Sequence, residues 1–170
     1  MKSLLDKGFG MLTIFLPDSK ATHNLGYLFG QNLSPNSVIL LSGNLGAGKT
    51  TLVQGIGRGI GISESIVSPT FTLINEYLEG RLPLYHLDLY RLEPAQADSL
   101  YPEIYWEGIE VDPGITAIEW WQRLIVKPEK YLEVMLSAEV GETRTARIGQ
   151  SGMNDSDLSF LESFQSIERK

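Results

Sequence analysis

The sequence predicts an α/β fold of three layers, with a central, mainly parallel sheet, helices on both faces and antiparallel hairpins added to the sheet. Three observations lead to this prediction. The glycine-rich segment 43–50 lies between a short apolar run, residues 38–41, and a stretch with helical spacing. Further apolar, β-branched runs alternate with helical patterns along the chain. Turn signals around Gly80 and Gly141 separate pairs of strand-like segments, as hairpins require.

Segment 43–50 reads GNLGAGKT and fits G-x-x-x-x-G-K-[ST], the pattern of a phosphate-binding loop. A strand before it and a helix after it aim backbone N–H groups and a helix N-terminus at an anion. The three glycines permit close backbone approach, and Lys49 places a positive charge at the β- and γ-phosphates. The Thr50 hydroxyl is the usual Mg²⁺ ligand of such loops. The Thr51 hydroxyl can bond an outer phosphate oxygen, a helix-start threonine without function being the alternative. The segment therefore predicts a nucleotide-phosphate site.

Before this loop, the sequence predicts a strand over residues 13–16, which Pro17 stops. Asp18 or Ser19 then caps a helix that runs to about residue 33. The apolar stripe of this helix consists of Leu25, Leu28, Phe29 and Leu33. The helix that follows the loop is expected to end among the glycines at 57, 59 and 61.

Residues 63–70 predict a loop, because Pro69 pushes Ser68 toward extended geometry. Strands at 71–77 and 84–87 are predicted to pair as an antiparallel hairpin around the turn at 79–81. The remaining predicted elements are short helices at 93–100 (opened by Pro94) and 102–108, a buried strand at 115–118, and a closing hairpin of 131–136 and 143–148.

Residues 1–148 are predicted to form one domain, in which residues 1–11 are loosely held. Residues 149–170 are predicted to be a C-terminal tail that begins polar and flexible. The spacing of Leu158, Leu161, Phe164 and Ile167 predicts one short amphipathic helix in that tail.

Composition excludes several classes of function. The formal net charge is −7, the pI is near 4.8 and no basic cluster is present, which argues against direct, stand-alone binding of RNA or DNA. The absence of cysteine excludes disulfides, thiol catalysis and cysteine zinc sites, and two histidines leave little room for a histidine metal cluster. The apolar stretch 9–16 is too short to span a bilayer, so we expect a cytoplasmic protein with no membrane partner.

Two acidic residues, Asp88 and Glu119, each end an apolar strand that is expected to lie beside the loop. Mg²⁺ takes oxygen ligands, typically one or two carboxylates together with phosphate and water. One acid could hold the metal and the other the attacking water, and the sequence does not assign which; a solvated strand-end acid is the alternative for each. Thr70 could touch Mg²⁺ or the γ-phosphate, a simple loop-to-strand turn being the alternative.

Two further side chains near Asp88 carry less specific signals. His86 is interpreted as a packed or half-exposed side chain rather than a base. Arg91 pairs either with phosphate, as an arginine finger in cis, or with a nearby carboxylate, and the sequence favours neither. Trp106, Trp120 and Trp121 are interpreted as core or partner-contact residues rather than as a base-stacking platform.

Four motifs, GNLGAGKTTL, SPTFTL, HLDLYRL and IEWW, occur in an order and spacing that resemble the bacterial TsaE family, also called YjeE. The resemblance covers residues 14–148 and implies a P-loop NTPase-like fold. It also implies an Mg²⁺-dependent ATP-binding protein of the threonylcarbamoyl-adenosine tRNA modification system, whose ATPase activity is weak alone and stimulated by partners. Those partners would be the TsaD and TsaB proteins, and the tRNA would be bound mainly by them.

The resemblance also implies roles for individual residues. Thr50 and Glu119 would be Mg²⁺ ligands, Asp88 and Thr70 would belong to the catalytic and switch-like parts with Lys49, and Trp120 would flank the site. The nucleotide-binding residues would be Gly43, Leu45, Gly46, Ala47, Gly48, Lys49, Thr50 and Thr51, together with Ser19 in the segment near the adenine and Arg144 or Arg147 of the last hairpin. The chain departs from the family pattern at Asn44, where Asp is frequent, and at Trp121, where a small residue or proline is frequent.

Other functions remain open on the residues alone. A small-molecule kinase on a phosphate-loop scaffold would need an arginine-rich lid segment, which is not evident. A guanine-nucleotide switch would carry N-K-x-D and D-x-x-G motifs, and neither is present. A non-hydrolysing, nucleotide-gated binding module would keep its pathway activity after substitution of Asp88 or Glu119, provided that ATP still bound.

Overall fold

The computed structural model describes residues 11–168 and contains seven strands and five α-helices within that range. The strands are β1 (Leu12–Leu16), β2 (Ser37–Ser42), β3 (Ile74–Tyr77), β4 (Leu84–Asp88), β5 (Ile115–Glu119), β6 (Tyr131–Ala138) and β7 (Arg144–Ser151). The helices are α1 (Ser19–Asn32), α2 (Lys49–Ile60), α3 (Pro94–Asp98), α4 (Ile104–Glu107) and α5 (Phe160–Glu168). Two 3-10 helices cover Trp121–Arg123 and Asp155–Leu158.

All seven strands form one sheet in the order β1-β7-β6-β2-β5-β4-β3. The four central strands, β6, β2, β5 and β4, run parallel, while β7 pairs antiparallel with β6 and β1, and β3 pairs antiparallel with β4. The side chains of β2 alternate between two apolar cores: Ile39 and Leu41 face α1, α2 and α5, whereas Val38 and Leu40 face α3 and α4. The predicted three-layer α/β fold with antiparallel additions is confirmed.

Helices α1 and α2 approach each other through glycines on both sides of their contact. A Cβ added at Gly26 would lie 2.1 Å from the Leu52 carbonyl oxygen, and one added at Gly55 would lie 2.1 Å from the His23 carbonyl oxygen. Gly30 and Gly59 are equally close to the backbone of the facing helix. Because no side chain separates the two backbones, the start of α2, which closes the phosphate loop, is held directly against α1.

The end of α2 lies at the last of the three glycines among which it was predicted. The helix continues through glycines 57 and 59 to Ile60 and ends at Gly61, whose φ of 97° and N–H bonds to the carbonyls of Gly57 and Arg58 close the last turn. The glycines read as helix breakers because of their low helix propensity. At 59 the absent side chain instead permits the contact with α1, and tertiary packing outweighs the propensity.

The first hairpin strand is shorter than predicted, because Phe71 and Leu73 belong to a turn rather than to β3. Leu73 has φ of 68°, its N–H donates to the Pro69 carbonyl at 2.7 Å, and its carbonyl accepts from Asp88 N at 2.9 Å. A left-handed residue cannot continue a strand. The turn instead directs the 68–70 segment toward the end of β4.

The C-terminal tail folds back onto α1. Leu158, Leu161 and Phe164 are buried in the core that also contains Leu25 and Phe29. The predicted amphipathic helix therefore exists as α5, although the Ile167 side chain lies outside the described part. The predicted looseness of residues 1–11 concerns a segment of which residues 1–10 lie outside the described part. Within residues 11–168, no helix is long and apolar enough to cross a membrane.

Candidate nucleotide-binding site

The phosphate-binding loop connects the end of β2 to the start of α2. Gly46 and Gly48 have φ of 80° and 104°, which side-chain-bearing residues rarely adopt. A Cβ added at Gly46 would meet nothing within 4 Å, so this part of the loop borders open space. Gly48 is the N-cap of α2 and supplies no side-chain hydrogen bond. The first N–H groups of α2 are therefore open to an anion.

Lys49 lies across this loop and is 8% exposed. Its Nζ donates to the carbonyl oxygens of Gly43 and Asn44 at 2.7 and 3.2 Å. The same ammonium is 4.0 Å from Oε2 of Glu119. Lys49 thus brings its positive charge between the loop and a buried carboxylate.

Asp88 and Glu119 are the last residues of β4 and β5 and face each other in the parallel register of these strands. Both are only 4% exposed. They lie on the sheet face that α1 and α2 cover, since Leu84 and Ile115 on the same strand faces belong to that core. The structure therefore brings both predicted acids to the carboxyl edge of the sheet, beside the loop.

The two carboxylates have different surroundings. Oδ2 of Asp88 accepts from the Thr70 hydroxyl at 2.9 Å, and Oδ1 accepts from the Tyr90 N–H at 3.0 Å. The Ser68 and Thr70 hydroxyls are 2.8 Å apart. The hydrogen bonds of Asp88 therefore continue into the segment of residues 63–73, which lies between α2 and β3. Asp88 is thus bonded through both oxygens to the chain around it, whereas Glu119 directs Oε2 toward Lys49.

These residues line an open cavity of about 480 Å³. Its lining includes Leu45, Gly46, Gly48, Lys49, Thr50, Thr51, Thr70, Asp88, Glu119 and Trp120. Trp120 has φ of 58° and ψ of 37°, and its ring lies 4.8 Å from that of Tyr90. A bulky residue in this left-handed conformation is unusual and is held by its surroundings. It forms one wall of the cavity, a position that agrees with what the family resemblance implies.

Ser19, predicted near the adenine, and the two arginines predicted to reach the nucleotide lie outside the lining of the 480 Å³ cavity. Asp18 caps α1 by accepting from the Ala21 N–H at 2.7 Å, and Ser19 is the first residue of that helix, although it does not line the 480 Å³ cavity. Arg144 donates to the Gly46 carbonyl at 3.3 Å, whereas Arg147 contacts the sulfur of Met11. Of the two arginines, Arg144 is therefore the one beside the loop.

Residues 16–146 match the family described as Threonylcarbamoyl adenosine biosynthesis protein TsaE. The chain belongs to the TsaE family. A Nostoc protein named tRNA threonylcarbamoyladenosine biosynthesis protein TsaE is 60% identical over 148 residues, which cover 87% of this chain and 91% of that protein. A Synechocystis protein of the same name is 56% identical over 119 residues, 70% of this chain and 76% of that protein. The crystal structure of Bacillus subtilis YdiB superimposes with a TM-score of 0.72 at 26% identity and covers 94% of this chain and 97% of that one.

Two features of this TsaE-family site were missed or left open by the sequence. The Arg91 guanidinium lies 4.3 Å from the centre of the Phe71 ring, a contact that the sequence did not predict. His86 is fully buried, and its Nε2 lies 2.9 Å from Oε1 of Glu119. The two-residue step from His86 to Asp88 places both on one strand face, and this spacing is the signal that could have linked His86 to the site.

Proposed function

We propose that this chain binds ATP with Mg²⁺ and hydrolyses it weakly alone and faster with the TsaD and TsaB proteins, in the threonylcarbamoyl-adenosine modification of tRNA. Family membership supports the tRNA-modification part of the proposal. The nucleotide part rests on one observation: the uncapped start of α2, Lys49 and two buried carboxylates surround a single cavity. Such a cavity offers donors to phosphate oxygens and acceptors to a cation at the same place.

The donor set suits Mg²⁺ bound together with phosphate. Among residues 11–168, no group of three or more His, Cys, Asp and Glu side chains could hold a metal ion alone. Mg²⁺ instead takes one or two carboxylates plus phosphate oxygens and water. The Thr50 hydroxyl and Oε2 of Glu119 are the oxygens that we assign to it. When bound, the ion would neutralise charge that develops on the phosphate oxygens.

The chain's own residues supply the other roles. Loop amides and Lys49 hold the phosphates, as their position on the cavity wall supports. Asp88 and Thr70 orient the attacking water, and their hydrogen bond links the 63–73 segment to the reacting end of the nucleotide. The state of the nucleotide then shifts this segment and changes the affinity for partners.

Exposed apolar side chains and the negative net charge support the role assigned to partner proteins. Leu45 and Tyr90, which line the cavity, expose 102 and 53% of their surface, and Phe71, which follows the lining residue Thr70 in the chain, exposes 81%. Exposed apolar side chains grouped around a site are typical of protein contacts. The net charge of −7 opposes direct tRNA binding, so that the tRNA would be reached through TsaD and TsaB.

Reconstitution of the tRNA-modification reaction tests the proposal. Wild-type chain should support repeated turnover, whereas Lys49→Ala should not, because it removes the positive charge at the loop. Lys127→Ala is the matched control, since Lys127 lies over the Trp121 ring at 4.4 Å and does not line the cavity. Equal turnover with wild type and Lys49→Ala, or a full ATPase rate of the isolated chain that partners do not raise, would contradict the proposal.

One observation favours a second candidate, the nucleotide-gated binding module. Both Asp88 oxygens already accept hydrogen bonds, an arrangement that suits a structural link between segments as well as a catalytic one. Asp88→Asn separates the two functions. Under the ATPase proposal it lowers both hydrolysis and tRNA modification, whereas under the gating alternative it leaves modification intact as long as ATP binds.

A further inference from the structure

His86 is a buried titratable side chain to which the proposed chemistry assigns no role. It is 0% exposed and lies on β4, where it pairs with Ala117 of β5 in the parallel register. The next pair on the same faces is Asp88 and Glu119. Its Nε2 lies 2.9 Å from Oε1 of Glu119.

The two oxygens of Glu119 therefore have different partners. Oε1 is bonded to His86, and Oε2 lies 4.0 Å from Lys49 Nζ, on the side of the phosphate loop. We propose that His86 is a positioning residue, which anchors Oε1 so that Glu119 presents Oε2 alone to the Mg²⁺–nucleotide complex. The inference rests on the proposed function, because it assigns Glu119 to the metal.

The second ring nitrogen indicates which atom carries the proton. Nδ1 of His86 is buried and has no hydrogen-bond partner among the described residues. A buried N–H without an acceptor costs more than a bare ring nitrogen without a donor, because the N–H loses a strong hydrogen bond to water. The proton thus resides on Nε2, which donates to Glu119.

This bond constrains how Glu119 can act. A glutamate carboxylate on a flexible side chain can rotate and offer either oxygen or both to a cation. With Oε1 bonded to His86, Oε2 would be the oxygen that holds Mg²⁺, and one carboxylate oxygen from this residue would suit an ion that also takes phosphate oxygens and water. Hydrogen bonds to the ligands of a metal typically contribute a factor of about 10–100 to metal affinity.

Two substitutions separate positioning from simple filling of space. His86→Phe fills the buried volume but removes the donor, whereas His86→Gln carries an amide N–H at a similar distance from the backbone as Nε2. Thr116→Val is the matched control, since Thr116 is also fully buried in the sheet but bonds the Tyr105 carbonyl on the opposite face of β5. Circular dichroism and thermal unfolding establish that each variant folds.

Isothermal titration calorimetry of ATP binding, with Mg²⁺ and with EDTA, measures the contribution of the metal. Wild type and Thr116→Val should bind ATP more tightly with Mg²⁺ than with EDTA. In His86→Phe the Mg²⁺-dependent gain in ATP affinity should be about tenfold smaller than in wild type, while the affinity in EDTA should be unchanged. His86→Gln should recover most of the lost gain. An Mg²⁺-dependent gain in His86→Phe equal to that of wild type would overturn the inference and leave the proposed function standing.

A second measurement does not depend on nucleotide. Long-range ¹H–¹⁵N correlation spectra of the wild-type chain should show His86 protonated at Nε2 and unprotonated at Nδ1, and Glu119→Gln should shift the Nε2 resonance. A proton on Nδ1, or an Nε2 chemical shift that is the same in Glu119→Gln as in wild type, would overturn the inference whether or not ATP binds. Failure of wild type to bind ATP, with the Nε2 signature present, would instead refute the proposed function and with it the link between His86 and the metal.

Discussion

Replacement of Gly26 by alanine tests whether the glycine contact between α1 and α2 determines the stability of the phosphate-loop support. The added Cβ would lie 2.1 Å from the Leu52 carbonyl oxygen, and 3.0 Å from Ile56 N and from the Leu52 carbonyl carbon. All three atoms belong to the backbone of α2, so no side-chain rotation can relieve the overlap. The two helices must move apart.

The magnitude follows from two opposing effects. Alanine in place of glycine stabilises a helix interior by about 1 kcal/mol. Overpacking that forces backbone shifts costs about 1–3 kcal/mol, and a contact this short with backbone atoms belongs at the upper end. We therefore expect Gly26→Ala to lower the free energy of unfolding by about 2 kcal/mol, which corresponds to roughly 4–8 °C in Tm for a chain of this size.

Urea denaturation followed by circular dichroism measures this change. Gly149→Ala is the control, because a Cβ there would meet only the Met11 Cγ at 3.8 Å. Gly26→Ala combined with Gly55→Ala should cost less than the sum of the single changes, since one separation of the helices relieves both overlaps. A Gly26→Ala chain at least as stable as wild type would refute the reasoning, because the overpacking cost would then be no larger than the helix-propensity gain.

Three further predictions concern single side chains. Thr70→Val should lower partner-stimulated ATP hydrolysis, because the 2.9 Å bond to Asp88 is lost, and Thr70→Ser should retain activity; equal rates for all three chains would contradict this role. Arg81→Met should reduce the free energy of unfolding by about 1–2 kcal/mol, since Arg81 donates three hydrogen bonds to carbonyls at the end of α1, and Arg81→Lys should be intermediate in urea titrations. Burial and the hydrogen bond to Glu76 raise the pKa of Tyr105 to about 12. The unfolded chain therefore loses this proton first, so stability should fall as the pH rises from about 10 to 12, and Tyr105→Phe should remove that part of the loss in alkaline denaturation curves.

Local sequence signals predicted most of the architecture. The loop motif, the apolar strands and the turn glycines reflect short-range constraints on backbone conformation, which operate before any tertiary contact forms. The same constraints placed Asp88 and Glu119 at strand ends, because a buried parallel strand ends where its apolar run ends. Local signals also limited the cap of α1 to Asp18 or Ser19, and Asp18 is the residue that caps the helix.

The details that local signals did not predict share a cause in long-range packing. Glycines 57 and 59 resemble a helix end in sequence, but α2 continues through them, and a Cβ at 59 would overlap the Tyr27 carbonyl of α1. Phe71 and Leu73 have strand-like side chains, but the turn that contains them is held by Pro69 and Asp88. In each case a partner distant in the chain outweighs the local propensity.

The sequence by itself determined the class of fold and the chemistry of the loop, because both depend on residue types at fixed short spacing. Only the tertiary structure determined how Asp88 and Glu119 differ in the hydrogen-bond partners of their carboxylate oxygens. Thr70 and Tyr90 occupy the oxygens of Asp88, whereas His86 occupies only Oε1 of Glu119 and leaves Oε2 facing Lys49. Hydrogen bonds between side chains on neighbouring strands depend on register and rotamer, and these are set only when the sheet is assembled.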